Sequence, residues 1–432
     1  MTFLKTNIIT LASKMICLAS TLFISVYIAR FLGPFAKGAY YLLAQIVSIL
    51  ATLSLFGIDT AAIYCLGKGA PARGTTLISS FITVVSGVAV AWALFAARAH
   101  FLKNILSGID PRYLILIALA IPFMGLVRLY SAIVMGFGRY IAFNILNITL
   151  FLALAAGFVG LVIFAKMGLA GALISFALAY FIMSFIYLIV ILSSRVMRET
   201  DKAGGVDVKG LLSYGARIFL VPVLLLILYR IDSFFLSYCI NAKAVGFYSV
   251  ALSLAELLLF IPESTGTILF PKLAYTASAD VDRKFVSILR VSIVITVVGA
   301  GLFFAGIRYV LPLVYGRLYL ESVPLANILL PGLAAMSTYY LFASYFQAIG
   351  RPGLVSAVLA AVLLEKVLLC GLLIPRYGAG GAAMAATISY LSCFAIFLWI
   401  FRKRAKFAVS DILMLKGSDL NFIFRFYKHQ DT

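Results

Sequence analysis

The stretch MGLAGALISFALAY, residues 167–180, returns 210 residues later as YGAGGAAMAATISY, residues 377–390. Gly168 aligns with Gly378, Gly171 with Gly381, Ala172 with Ala382 and Tyr180 with Tyr390. Two further pairs keep the same order at nearly the same spacing. GFGRY and AIGRP set Gly138-Arg139 against Gly350-Arg351 at an offset of 212. AKGAYYLLAQ and AVGFYSVALS set Gly38 against Gly246 and Tyr40 against Tyr248 at an offset of 208. Chance likeness between apolar segments does not preserve order and spacing together, so the chain reads as an internal duplication.

The solvent of this duplication is lipid. Of 432 residues, 64% are hydrophobic and 12% charged, and the mean hydropathy is +1.11. Soluble domains average about 45–50% apolar and about 25% charged residues. Several runs exceed the ~20 apolar residues needed to cross a bilayer as a helix, and none shows the short polar–apolar alternation of barrel strands. Twelve spans are expected, at 7–31, 38–66, 76–98, 111–136, 143–165, 168–193, 211–238, 244–270, 285–307, 322–348, 353–375 and 379–401. The first is longer than a signal-peptide core, contains Lys14, and runs into Arg30-Phe31-Leu32-Gly33-Pro34 rather than a small-residue cleavage site, so it is read as a retained span.

Six spans per half give the halves the same orientation, a parallel repeat, which is a transporter plan with cargo handled between the lobes. The expected domains are an N-terminal six-helix bundle (1–194), a cytoplasmic linker (195–210), a C-terminal six-helix bundle (211–401) and a basic cytoplasmic tail (402–432). With the N-terminus inside, the cytoplasmic segments hold about twice as many Lys and Arg as the opposite ones, Lys37 being counted with the outer group. The positive-inside rule then places both termini in the cytoplasm of a multi-pass protein of the bacterial inner membrane. The net charge of +20 is therefore topology and contact with anionic membrane lipid rather than nucleic-acid binding. The end of the tail, NFIFRFYKH at 421–429, mixes bulky apolar with basic residues and suits the inner leaflet.

Catalytic chemistry is not written in the chain. Cys17, Cys65, Cys239, Cys370 and Cys393 are scattered through apolar segments without metal-ligand spacing, and His100 and His429 are the two histidines. The cysteines read as packing residues. No nucleophile–base motif, phosphate-binding glycine loop or metal cluster is present in the sequence, so no enzyme, metal or cofactor is expected.

The stretch ARFLGPFAKGAYYLLAQIVSILATLSLFGID, residues 29–59, resembles the opening of polysaccharide-export flippases of the multidrug/oligosaccharidyl-lipid/polysaccharide (MOP) superfamily, of the O-antigen and capsule type. The matching residues are Leu32-Gly33-Pro34, Gly38, Tyr40 and Gly57-Ile58-Asp59, with the two Gly-Arg turns and the glycine-rich starts of the sixth and twelfth spans. The resemblance covers most of residues 5–405. It implies two six-helix bundles forming a V, like a multidrug and toxin extrusion (MATE) transporter, around a central cavity. It also implies an undecaprenyl-pyrophosphate-linked oligosaccharide as cargo, with polysaccharide polymerase and assembly proteins as partners to be considered.

A charge at bilayer depth costs roughly 2.5–3.5 kcal/mol on insertion scales, so such residues face the bundle interior or a polar path. Lys14, Arg128, Arg217, Arg230 and Lys366 are the cationic candidates for holding a pyrophosphate, arginine being suited to it by its permanently charged fork. Asp59, Asp232, Glu256, Glu263 and Glu365 are the candidates for ion pairing or proton coupling. Glu256 and Glu263, seven apart, share a helix face. Glu365 and Lys366, adjacent and so about 100° apart on a helix, must seek different neighbours, one facing the cavity and the other pairing on a neighbouring helix. Pro122, Pro222, Pro262 and Pro331 fall inside spans and mark possible hinges. Tyr229 and Tyr339 are candidates for stacking on sugar, although lipid-facing and interfacial aromatics are the commoner use of such residues.

The expected function is a flippase carrying a lipid-linked repeat unit from the cytoplasmic to the periplasmic leaflet by alternating access. Without a nucleotide-binding motif, its energy must come from an ion gradient, the membrane potential or downstream use of the product. The alternatives are a MATE-type drug or organic-cation antiporter, disfavoured because the first span carries Lys14 and no acid, and a non-transporting component of envelope assembly.

Overall fold

Backbone N–H and C=O groups in hydrocarbon have no water to bond, so long apolar runs must close their hydrogen bonds internally as helices. The computed structural model describes residues 3–194, 207–260, 262–266, 269, 278–405, 407–408 and 411–412, and among these there is no β-strand. The tail stretch 421–429 and linker residues 195–206 lie outside the described residues.

Ten helical stretches are long and apolar enough to cross a membrane. Two of them are broken near the middle by a glycine with positive φ. Ala12–Leu55 passes through a π-helical turn, Ile28–Leu32, to Gly33 (φ 81°), and Pro352–Ala405 bends at Gly378 (φ 56°). Dividing those two recovers the twelve expected spans.

The chain falls into two compact units, residues 1–226 with 241–246, and residues 227–240 with 247–432. The first contains α1 (Phe3–Tyr27), α2 (Gly33–Leu55), α3 (Ile58–Gly67), α4 (Ala72–Ala96), α5 (Arg98–Asn104), α6 (Pro111–Gly136), α7 (Tyr140–Phe158), α8 (Gly168–Leu192) and α9 (Val208–Ile218). α6 is its axis, packing against α2, α3, α4, α7 and α8. Its buried residues include Ile121, Leu129 and Ile133. Outward positions on the other spans stay apolar and exposed, as Phe81, Trp92 and Ile189 do, which is the pattern of helices bathed in lipid.

α10 (Leu220–Cys239) and α11 (Ala242–Ala255) run from the first unit into the second. The second unit continues with a short 3₁₀ turn at Glu256–Leu259, then α12 (Ser278–Tyr315), α13 (Ser322–Ser337), α14 (Tyr339–Ala348) and α15 (Pro352–Ala405). α13 packs along α15, and α14 packs against α15 as well. Phe285, Phe342, Tyr345, Phe397 and Phe401 form an aromatic cluster among them.

The duplication is present in the backbone. Gly168 and Gly378 both have φ 56°, and the turn glycines Gly138 and Gly350 have φ 69° and 75°. A Cβ on Gly171 would strike the Leu161 carbonyl, and one on its counterpart Gly381 would strike the Leu373 carbonyl. Within the first unit the repeat closes on itself. A Cβ on Gly38 would collide with the Ala242 carbonyl oxygen, and one on Gly246 with the Pro34 carbonyl oxygen. Pro34 and Ala242 are 208 residues apart, as Gly38 and Gly246 are, so each glycine meets the equivalent carbonyl of the other repeat.

One sequence expectation changes. Lys37, counted with the outer segments, lies inside α2, is 4% exposed, and donates to Ser25 Oγ at 2.7 Å. The reason is that Gly33 and Pro34 start α2 rather than a loop: proline in the first turn sacrifices no helical bond. Pro222 lies inside the apolar stretch Val208–Cys239, as expected, in the first turn of α10 just after the break at Phe219. Pro122 and Pro331 do lie within α6 and α13, and the described Pro262 is buried.

Candidate functional site

Ser48 and Thr52, four residues apart on α2, share the helix face turned to α6. Arg128 on α6 meets them there: its Nη1 donates to Thr52 Oγ1 and its Nη2 to Ser48 Oγ at 3.1 Å. Tyr180 on α8 and Asp59 at the start of α3 lie within electrostatic reach of the guanidinium. No carboxylate among the described residues is in ion-pair distance of it. Arg128 is half-buried. Its charge is thus held in place by neutral hydroxyls and is not cancelled, which leaves the remaining N–H donors for an anion.

The second unit treats its cations differently. Lys366 Nζ donates to Asp232 Oδ2 at 2.7 Å and to the Leu228 carbonyl at 2.7 Å, and both charged side chains are wholly buried. Tyr390 OH stands 3.3 Å from the ammonium. Asp232 is satisfied in turn by Tyr248 OH at 2.7 Å and by the Ser233 backbone N–H at 2.8 Å. This is a neutral clasp joining α10, α11 and both halves of α15. Beside it Arg230 Nη1 donates to Glu256 Oε1 at 2.7 Å, with the side chains 19% and 25% exposed. The Tyr229 and Tyr340 hydroxyls are 3.4 Å apart, and Glu256 and Glu263 both lie within electrostatic reach of Tyr340.

The remaining candidates scatter. Lys14 is half-buried on α1, Arg217 is exposed at the end of α9, and Asp59 accepts from the Thr60 N–H at 2.8 Å. Glu365 accepts from Ser392 Oγ at 2.7 Å. The adjacent pair Glu365 and Lys366 therefore does face different neighbours, and it is Lys366 that takes the buried ion pair. Tyr339, buried, packs against Phe397 rather than presenting a stacking face.

Sequence reasoning missed Ser48, Thr52 and Tyr180 around Arg128, and Tyr248 and Tyr390 around Lys366. The i, i+4 hydroxyls on the second span were a readable signal. The tyrosines were flagged as repeat positions, but not as neighbours of the charges.

Residues 27–324 match the model of the family described as polysaccharide biosynthesis protein. The chain belongs to that family. It is 24% identical over 399 residues to a candidate O-antigen transporter of Shigella flexneri, covering 87% of this chain and 92% of that protein. Among solved structures it is similar to the lipid II flippase MurJ in an inward closed conformation, with TM-score 0.76, 14% identity, and coverage of 98% of this chain and 93% of that one. It is also similar to an inward-facing multidrug-resistance MATE transporter of the MOP superfamily, with TM-score 0.75, 13% identity, and coverage of 93% and 98%. The fold of this family member is that of MOP-superfamily membrane transporters, all-α with two repeats of six spans.

Proposed function

We propose that the protein is a flippase for a lipid-linked oligosaccharide of surface-polysaccharide assembly, undecaprenyl pyrophosphate being the carrier. It moves the headgroup from the cytoplasmic to the periplasmic leaflet of the inner membrane while the lipid tail stays in the bilayer. The lobes that alternate are the bundles 1–194 and 211–401. Family membership and the likeness to a candidate O-antigen transporter support the substrate class.

The observation that carries the reading is Arg128. A half-buried guanidinium, anchored by Ser48 and Thr52 and without a carboxylate partner among the described residues, retains its charge for a pyrophosphate that must shed water to cross. An organic-cation antiporter needs the opposite, an acid with no cation of its own. Asp232, the one wholly buried acid among the described residues, is already neutralised by Lys366.

The test is deletion of the gene, followed by assay of surface polymer and of the sidedness of lipid-linked intermediates. Loss of polymer with complete units stranded on the cytoplasmic face is expected. Normal polymer with new sensitivity to cationic drugs would replace this reading with the antiporter.

A further inference from the structure

The last turn of α15 carries Arg402, Lys403 and Arg404. Arg404 is engaged inward, its Nη1 donating to Tyr345 OH at 3.0 Å, and that hydroxyl donates to Asp282 at 2.5 Å. Arg402 and Lys403 are exposed, and no acid among the described residues pairs with them. Residues 407–408 and 411–412 make a wall beside them. Phe407 stacks on Phe401 with centroids 6.4 Å apart and planes 6° apart, and Ile412 is fully buried. Arg290 Nε donates to the Asp411 carbonyl at 2.6 Å.

The wall creates a cleft of about 490 Å³ lined by Trp399, Arg402, Lys403, Phe407 and Ala408. That volume is within the range of small-ligand sites, about 300–1,000 Å³. Trp399 is 61% exposed, and Lys403 Nζ lies 5.4 Å from the centre of its ring. A tryptophan at the end of a span belongs at the boundary between acyl chains and headgroups. Two uncompensated cations one step beyond it then stand at phosphate depth. A soluble anion would use the cations alone; the tryptophan and the phenylalanine give the cleft an apolar side that fits the glycerol and upper acyl chain.

We propose that this cleft binds the headgroup of an anionic phospholipid, with Arg402 and Lys403 on the phosphodiester and Trp399 against the acyl–headgroup boundary. It is separate from Arg128 and does not depend on the flippase reading.

The experiment is native mass spectrometry of the full chain released from detergent after incubation with equal amounts of phosphatidylglycerol and phosphatidylethanolamine. Wild type retains phosphatidylglycerol preferentially. R402A/K403A loses that preference by about ten- to thirty-fold, as expected from about 1 kcal/mol for each basic residue at an anionic surface. K103A/R112A, which removes two exposed basic residues elsewhere, retains it. Equal loss in both double variants would reduce the effect to general surface charge and overturn the site. Retention in R402A/K403A would overturn it directly. Displacement of the lipid by millimolar inorganic phosphate alone would make it a free-phosphate site and overturn the lipid assignment.

Discussion

Lys366 Nζ lies 2.7 Å from Asp232 Oδ2, with both side chains completely removed from solvent, across 134 residues of chain. The pair is what lets a membrane helix carry the stretch LLEKVLLCG, residues 363–371: Lys366 is neutralised on one side of α15 and Glu365 is bonded to Ser392 on another. Such a pair is costly to form and more costly to break, because removal of one member strands the other.

Lys366→Met therefore lowers stability by about 3–5 kcal/mol, read as a large fall in the thermal midpoint of the detergent-solubilised protein. The double variant Lys366→Met with Asp232→Asn recovers most of that loss, since neither charge remains. A single variant as stable as wild type would show that the clasp does not hold these helices together.

Ser48 and Thr52 hold the guanidinium of Arg128. Ser48→Ala combined with Thr52→Val is expected to leave the thermal midpoint close to wild type. Surface polymer should fall several-fold, because two hydrogen bonds from a charged donor, each about 1.5–3 kcal/mol, no longer position the charge. Unchanged polymer in the double variant would remove the positioning role.

The reciprocal glycine contact predicts paired sensitivity. Gly38→Ala and Gly246→Ala each drive a methyl group into an opposing carbonyl, so both should cut the yield of folded protein sharply. Gly353→Ala, in a helix and with open space around it, should be neutral or stabilising by up to about 1 kcal/mol. The comparison is made by fluorescence-detected gel filtration. Equal yields for all three would contradict the close approach of α2 and α11.

On α4 the Thr75, Thr76 and Ser79 hydroxyls are buried without a hydrogen-bond partner among the described residues. Thr75→Val removes such a group at constant shape and should raise stability by about 1 kcal/mol. A loss of that size would mean that the hydroxyl is satisfied in the membrane, for example by a water.

The spans and the repeat were legible because hydrocarbon leaves the backbone few options and the turn glycines need positive φ at Gly138, Gly168, Gly350 and Gly378. The expected span 285–307 lies within the long helix α12, Ser278–Tyr315. Partner choice was not legible. Whether Arg128 meets Ser48 or an acid depends on the rotation of α6 against α2, and nothing in the residues near Arg128 sets that rotation. The same holds for Asp232, whose partners on other helices, Tyr248 and Lys366, come from α11 and α15. Lys37 was misplaced because Leu32-Gly33-Pro34 reads equally well as a loop or as a helix start.

The most direct measurement of the central claim is the effect of Arg128→Ala, expressed at wild-type level in the deletion strain, on the sidedness of lipid-linked repeat units. Retention of complete units on the cytoplasmic face, at least about ten-fold less surface polymer, and a normal thermal midpoint are predicted, the loss corresponding to roughly 1.4 kcal/mol or more of headgroup stabilisation. Wild-type polymer in that strain would contradict the assignment of Arg128 as the group that carries the pyrophosphate.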